Sequence, residues 1–244
     1  MKRFKSIALA LLISAGLLLV NQGCFNLGPF GGIRGEGQTV EKKVEFREIR
    51  GVVVHNSAEV LLSQGSRQDV IIKAQENILE NLILDVENGI LHIRNERPVW
   101  QAEPIIIKMV IADLEILKLS GSGSVQTETG FRDQRVIESA ISGSGTISLN
   151  TNAREIKAKI SGSGTIELKG TCNDLDLNIS GSGGVLGYAM ETRKVNCQIS
   201  GSGNIRVYAS DRLEARISGS GNVYYRGNPK ISSNVSGSGD LIAR

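Results

Sequence analysis

The chain has 244 residues, with 28 Lys and Arg against 25 Asp and Glu, 29 glycines, 4 prolines and 4% aromatics. That length allows one large or two small domains with a real core, and a glycine-rich, proline-poor and aromatic-poor composition fits β-rich turns better than a helical bundle. Lys2, Arg3 and Lys5 precede the first acidic residue by a wide margin; without them 25 basic residues face 25 acidic ones, so bulk charge supplies no attraction for nucleic acid or an anionic membrane.

Met1 to Lys5 is a basic start, followed by the apolar run Ser6 to Val20. The run is short for a membrane span and of the right length for the hydrophobic region of a secretory signal peptide, expected over residues 1–23. Its end, Val20-Asn21-Gln22-Gly23-Cys24, resembles a bacterial lipobox. Gly23 and Cys24 match that pattern, whereas Asn21 and Gln22 depart from its usual aliphatic and small residues. An ordinary signal-peptidase site reads no better, since Asn21 is equally poor there. Cys24 is therefore the expected lipidation site, and acyl chains on it would anchor the protein at ~0.8 kcal/mol per buried CH₂. Residues 24–39, rich in glycine and without periodicity, read as a flexible tether.

Residues 40–113 read as a β-rich N-terminal part without a repeat. Val60 to Leu62, Gln64-Gly65-Ser66 and Val70 to Ile72 suggest a hairpin. Ile83 to Val86 and Ile90 to Ile93 suggest a second, joined by Asn88-Gly89, whose residues accept the positive φ angles of a type I′ turn. Glu76 to Asn81 fits a helical turn. Pro98 and Pro104 bracket a loop around Trp100, and Ile105 to Ile107 begins another strand. This part is expected to cap the C-terminal half of the chain.

From residue 114 the chain repeats. Ser-Gly-Ser-Gly begins at Ser120, Ser142, Ser161, Ser180, Ser200, Ser218 and Ser236, and a near-fixed period of this kind signals a repeat architecture. One residue before each copy stands Leu119, Ile141, Ile160, Ile179, Ile199, Ile217 or Val235. Five before stands an aliphatic residue in every copy except the first, where Glu115 intervenes. Two after the motif come Val125, Ile147, Ile166, Val185, Ile205, Val223 and Leu241, while intervening positions are largely polar. Each unit is then a pair of period-2 strands joined at a glycine turn, with one apolar face. One unit cannot offset its own ordering entropy, and stacking like on like closes the gap. The expected fold is all-β: a parallel β-helix or β-solenoid of seven rungs over 114–244, continuous with the N-terminal part as one domain. A propeller blade would need a longer repeat.

The Ser-Gly-Ser-Gly copies, the alternating aliphatic residues before them, and the ending Gly227-Asn228-Pro229-Lys230 followed by Val235-Ser-Gly-Ser-Gly resemble the head GIN domain family. These are exported bacterial proteins described as auto-transporter adhesins. The resemblance covers about Val40 to Arg244. It implies a β-helical body and a cell-envelope location, and it brings no catalytic residues.

The residues themselves offer little for catalysis. His55 and His92 are the only histidines, both on or beside predicted strands. No Gly-x-Ser-x-Gly elbow joins a strand to a helix, no helix follows a motif to form a phosphate site, and no repeat offset shows a cluster of Asp, Arg or Lys across adjacent rungs. The residue after each motif is Ser124, Thr146, Thr165, Gly184, Asn204, Asn222 or Asp240, whereas calcium-binding β-rolls place an aspartate in every repeat. No metal or cofactor is expected. The serines are expected to cap backbone groups and bond along the stack. Cys172 and Cys197 occupy different offsets, so they are not stacked neighbours. The candidate surface is an aromatic stripe: Tyr188 and Tyr208 share an offset in adjacent rungs, Arg226 shares it one rung on, and Tyr224 lies nearby. Facing solvent, they would suit a sugar ring or a protein partner. The sequence thus reads as a non-enzymatic, lipid-anchored envelope protein displaying a β-helical surface for adhesion. The alternatives are a carbohydrate-active β-helix enzyme, and self-association through the strand edge near Asp240–Arg244.

Overall fold

The structure is a computed structural model that describes residues 31–244. The expected signal peptide, Cys24 and the first part of the tether lie outside the described residues. Of the remaining tether stretch, Ile33–Arg34 form strand β1, paired in parallel with β8 (Val99–Gln101), and Thr39 opens strand β2 (Thr39–Glu45). Trp100, expected in a loop, therefore stands on a short strand, with the Arg34 guanidinium 5.8 Å from its ring centroid.

The repeats form a parallel β-solenoid. Strands β12 (Phe131–Gly143), β13 (Thr146–Gly162), β14 (Thr165–Gly181) and β15 (Gly184–Gly201) each stack on the next in the register read from the sequence, so that Ile141, Ile160, Ile179 and Ile199 form one ladder. The ladder continues from β15 through β17 (Arg212–Gly219) to β19 (Lys230–Gly237). The other half of each rung continues through β16 (Asn204–Tyr208) and β18 (Asn222–Arg226) to β20 (Asp240–Ala243). The inward positions of the repeats are buried up to Val223. In the first copy, where Glu115 breaks the pattern, the core is filled one residue earlier by buried Leu114, whose amide donates to the Gln134 side chain at 2.7 Å.

The turn is held by backbone alone. The amides of Ser182 and Gly183 both donate to the Gly162 carbonyl at 3.0 Å, and the same forked bond recurs from Ser163-Gly164 to Gly143 and from Ser202-Gly203 to Gly181. Gly181 has φ +124°, and a Cβ there would lie 2.6 Å from the Gly162 carbonyl oxygen. Only glycine brings consecutive rungs this close. The motif serines differ from expectation. Among the described residues none of their hydroxyls takes part in a protein hydrogen bond, and those of Ser161, Ser180 and Ser200 are exposed to water.

The N-terminal part contains two more rungs without the motif. Strands β3 (Gly51–Val54) and β4 (Glu59–Gln64) pair in parallel with β10 (Ile116–Gly121) and β11 (Ser124–Thr127), so His55-Asn56-Ser57-Ala58 occupies the place of Ser-Gly-Ser-Gly. On the far side of that rung lie β7 (Ile90–Asn95), parallel to β3, and β9 (Ile106–Ile111), parallel to β4. The first rung laid down by the chain is thus flanked by two formed later. Strand β9 also separates the expected hairpin: β5 (Asp69–Gln75) pairs with β9, antiparallel, and not with β4. The Asn-Gly hairpin forms as expected between β6 (Leu82–Glu87) and β7, with Asn88 at φ 53° and Gly89 at φ 77°. Helix α1 spans Glu76–Glu80 and buries Ile78. Antiparallel β6, β5 and β2 close this end of the stack, as the capping role required. At the other end β19 pairs only with β17 among the described residues, and all eight of its residues are exposed, Ile231 at 47% and Val235 at 40%.

Candidate functional site

The expected stripe comes together. Arg206 aligns with Tyr224, and Tyr208 with Arg226, between β16 and β18. Tyr188 reaches the same column through a β-bulge. Glu167 pairs with Leu186 and Lys169 with Ala189, leaving Gly187 and Tyr188 opposite the single residue Leu168. Bulges re-aim side chains, and this one supplies Tyr188 as the extra residue of the longer rung. Gly187 sits at the pinch, where a Cβ would meet the Arg206 carbonyl oxygen at 3.0 Å.

The three tyrosines are half-buried and the arginines exposed. The Arg226 guanidinium lies 4.2 Å from the Tyr188 ring centroid, and those of Arg206 and Arg244 both lie 5.4 Å from that of Tyr224. A cation over an aromatic face is attracted by the ring quadrupole. Arg206 and Arg244 escaped the sequence reading, although both signals were present. Arg206 stands two residues before Tyr208, hence on the same face, and Arg244 has the offset of Tyr188, Tyr208 and Arg226.

The arginines on the neighbouring faces behave differently. Arg193 bonds Asp211 at 2.9 Å, and Arg212 and Arg216 both pair with Glu214. The Ser210 hydroxyl and then Arg193 hold Asp211 below its usual carboxylate value. Tyr208 also borders a shallow cavity of about 300 Å³ shared with Cys172, Thr192 and Arg193.

A second concave region corrects the expectation that no offset clusters charge. Glu138, Lys157 and Asp176 occupy one column on adjacent rungs, with Lys118 and Lys159 beside them, around a groove of about 560 Å³. Lys118 faces Glu138 at 4.0 Å within it, Lys157 turns to Glu155 outside its lining at 3.2 Å, and the Asn196 amide donates to Asp176 at 3.1 Å.

His55 and His92 stack with ring centroids 5.8 Å apart. Partial desolvation of the otherwise exposed His55 side chain first, then the His92 and Arg94 charges, lowers its pKa. The Asn column is a hydrogen-bond ladder: the Asn204 side-chain oxygen accepts from Asn222, and that of Asn222 accepts the Asp240 amide. Among the described residues no group of three or more His, Cys, Asp or Glu side chains converges as a metal site, and no helix is long and apolar enough to cross a membrane. Cys172 and Cys197 are separate buried free thiols.

Fold and surface together define a parallel β-solenoid bearing an aromatic–cationic face. Residues 46–229 match the family described as "Putative auto-transporter adhesin, head GIN domain", and the chain belongs to that family. Solved structures similar to it include a "putative lipid binding protein" from Parabacteroides distasonis, 25% identical, with a TM-score of 0.73 over 87% of this chain and 99% of that one. A "putative adhesin" from Bacteroides fragilis is 19% identical, with a TM-score of 0.80 over 87% of this chain and all of the other. A third, a "putative adhesin" from Parabacteroides merdae, is 22% identical, with a TM-score of 0.63 over 87% of this chain and 99% of its own. No curated protein matches the chain.

Proposed function

We propose that the protein is an exported, non-enzymatic adhesin, anchored in the cell envelope through lipid on Cys24, that makes contact through the face formed by Tyr188, Tyr208, Tyr224 and Arg226. The observation that carries this reading is the cation–aromatic stacking on that face, with Arg226 4.2 Å from the Tyr188 ring centroid. Half-buried rings keep a fixed orientation, and an oriented amphipathic surface binds at low entropic cost. Membership of a family described as adhesins supports the role. The basic start, apolar run and Gly23-Cys24 support export and lipidation.

Mass spectrometry of the processed protein is expected to find a diacylated or triacylated N-terminal Cys24; an unmodified terminus refutes the anchor. Cells displaying the protein should adhere to glycan- or protein-coated surfaces, and replacing Tyr188 and Tyr208 together by serine should abolish adhesion with the circular dichroism spectrum unchanged. Undiminished adhesion removes the face from the proposal. The carbohydrate-active alternative would have to use the Glu138–Asp176 groove, where both carboxylates are held among lysines and an asparagine. Self-association is favoured by one observation, the exposed Ile231 and Val235 on β19. Sedimentation of the purified protein tests it, and a strict monomer at high concentration ends it.

A further inference from the structure

We infer that this face binds an acidic glycan: a polysaccharide whose sugars carry carboxylate or sulfate groups. The inference rests on the adhesive role proposed above and names its ligand class. Three features carry it.

First, Arg206, Arg226 and Arg244 form no ion pair among the described residues, although Arg193, Arg212 and Arg216 on the adjoining faces each have a carboxylate partner. The acids nearest in register, Glu167 and Asp240, pair with none of these arginines among the described residues. The Glu167 carboxylate accepts the Ser148 hydroxyl at 3.2 Å, and Asp240 accepts the Leu241 amide at 2.8 Å. Those donors are neutral and leave both carboxylate charges in place, so three arginines stand against two acids and the face is net positive on a body whose bulk charge is balanced. Arg244 continues β20 beside Arg226, its amide bonded to the Tyr225 carbonyl at 2.9 Å. Like charges side by side destabilise a sheet. An arginine pair kept there without an internal anion leaves room for an external one.

Second, a guanidinium lying over a ring keeps its N–H edges free, and that planar fork matches a carboxylate or sulfate in two-point geometry. The Tyr188 ring carries the Arg226 guanidinium, so half-buried Tyr208 is the ring on which the C–H face of a sugar stacks. Charge and stacking are thus offered at the same level, as a ring bearing an acidic substituent requires.

Third, the three cations are not gathered around one point. Their strands are three consecutive rungs, ~4.8 Å apart along the axis, and the guanidinia lie at two places along it, Arg206 and Arg244 at the Tyr224 ring and Arg226 at the Tyr188 ring, which suits a polymer with charge repeating along its length. A small anion would need donors gathered around a point. A bilayer would favour protruding apolar side chains, but the rings are half-buried and Leu186 is the one large aliphatic residue of this face exposed beyond a third, at 38%.

The test uses the purified protein with immobilised glycans in three sets of matched backbone, neutral, uronate-bearing and sulfated, together with vesicles of neutral lipid or of neutral lipid mixed with phosphatidylglycerol. Binding is expected to the uronate or sulfated set and not to the neutral one, and to weaken as salt rises. The double variant Arg206→Gln, Arg226→Gln should lose at least about tenfold in affinity, the effect of removing two charge-assisted contacts, while its melting temperature stays unchanged. Matched desulfated or carboxyl-reduced polymers, which need no variant, should fail to compete. Equal binding to neutral glycans, an unaffected double variant, or preference for the anionic vesicles overturns the inference. Tyrosine-dependent adhesion of cells without any glycan binding also overturns it, yet leaves the adhesive role standing. Loss of both brings down the two together.

Discussion

Adding one methyl group at Gly181 tests what holds the solenoid together. Gly181 has φ +124°, and its new Cβ would stand 2.6 Å from the Gly162 carbonyl oxygen and 3.2 Å from the Gly162 nitrogen. The obstructing atoms are backbone, and that carbonyl also accepts the amides of Ser182 and Gly183, so it cannot withdraw without releasing both. Strain at such a φ costs ~1–3 kcal/mol and overpacking a further ~1–3 kcal/mol, so Gly181→Ala should lose roughly 2–6 kcal/mol. Gly184, three residues on, is the control. A Cβ there meets nothing nearer than the Asn204 carbonyl oxygen at 3.6 Å, and Gly184→Ala should be neutral or stabilising by ~0.4–1 kcal/mol through the unfolded chain. Replacing Ser180 and Ser182 by alanine should stay within ~0.5 kcal/mol per site, since surface changes without partners usually do. Urea titration followed by circular dichroism reads all three. With a slope of ~3 kcal/mol/M, Gly181→Ala moves the midpoint down by roughly 0.7–2 M. Equal midpoints for Gly181→Ala and Gly184→Ala would refute the reasoning, as would a serine pair costing more than the Gly181 change.

Two further outcomes rest on titratable groups. Burial pushes the Cys172 thiol up to about 12 and also raises that of Cys197, and the reactive form is the thiolate. A thiol reagent at pH 8 should therefore leave both intact in the folded protein and label both once it is unfolded; rapid stoichiometric labelling of the folded protein would contradict the burial. For His55 the folded pKa lies below the ordinary 6.5, so below that pH the unfolded chain binds more protons than the folded one. Stability should therefore fall as pH drops from 6.5 through the lowered pKa, and be independent of this group above 6.5. Thermal melts from pH 7.5 to 5 should show a shallower acid decline in His55→Gln than in the parent; an identical slope removes His55 as the cause.

Much of the site and of the solenoid was legible because stacked identical rungs write three-dimensional neighbours into a fixed sequence offset. Tyr188, Tyr208 and Arg226 could be placed in one column by counting, and Arg206 and Arg244 would have been found by the same count carried over the outward positions. The bulge at Gly187–Tyr188 showed only as a longer spacing between motifs. The groove through Glu138, Lys157 and Asp176 was missed because charges of opposite sign alternate down its column, and such a column does not resemble a cluster when read one residue type at a time.

The repeat, its inward ladder of aliphatic residues and its glycine turns were determined by the sequence alone, because the period of the pattern and the period of the stack are the same quantity. The order of the first rungs was decided only by tertiary structure. Val52 to Val54 and Leu91 to Ile93 carry no motif, and nothing local states that one lies against the other, or that β9 enters between β4 and β5. Those pairings depend on which strand edges the rest of the stack leaves open, and an open edge belongs to the assembled stack, not to any stretch of chain. The same holds for the arginines. The sequence places Arg206 and Arg193 equally on the surface, and only the folded body puts a carboxylate beside Arg193 and a tyrosine ring beside Arg206.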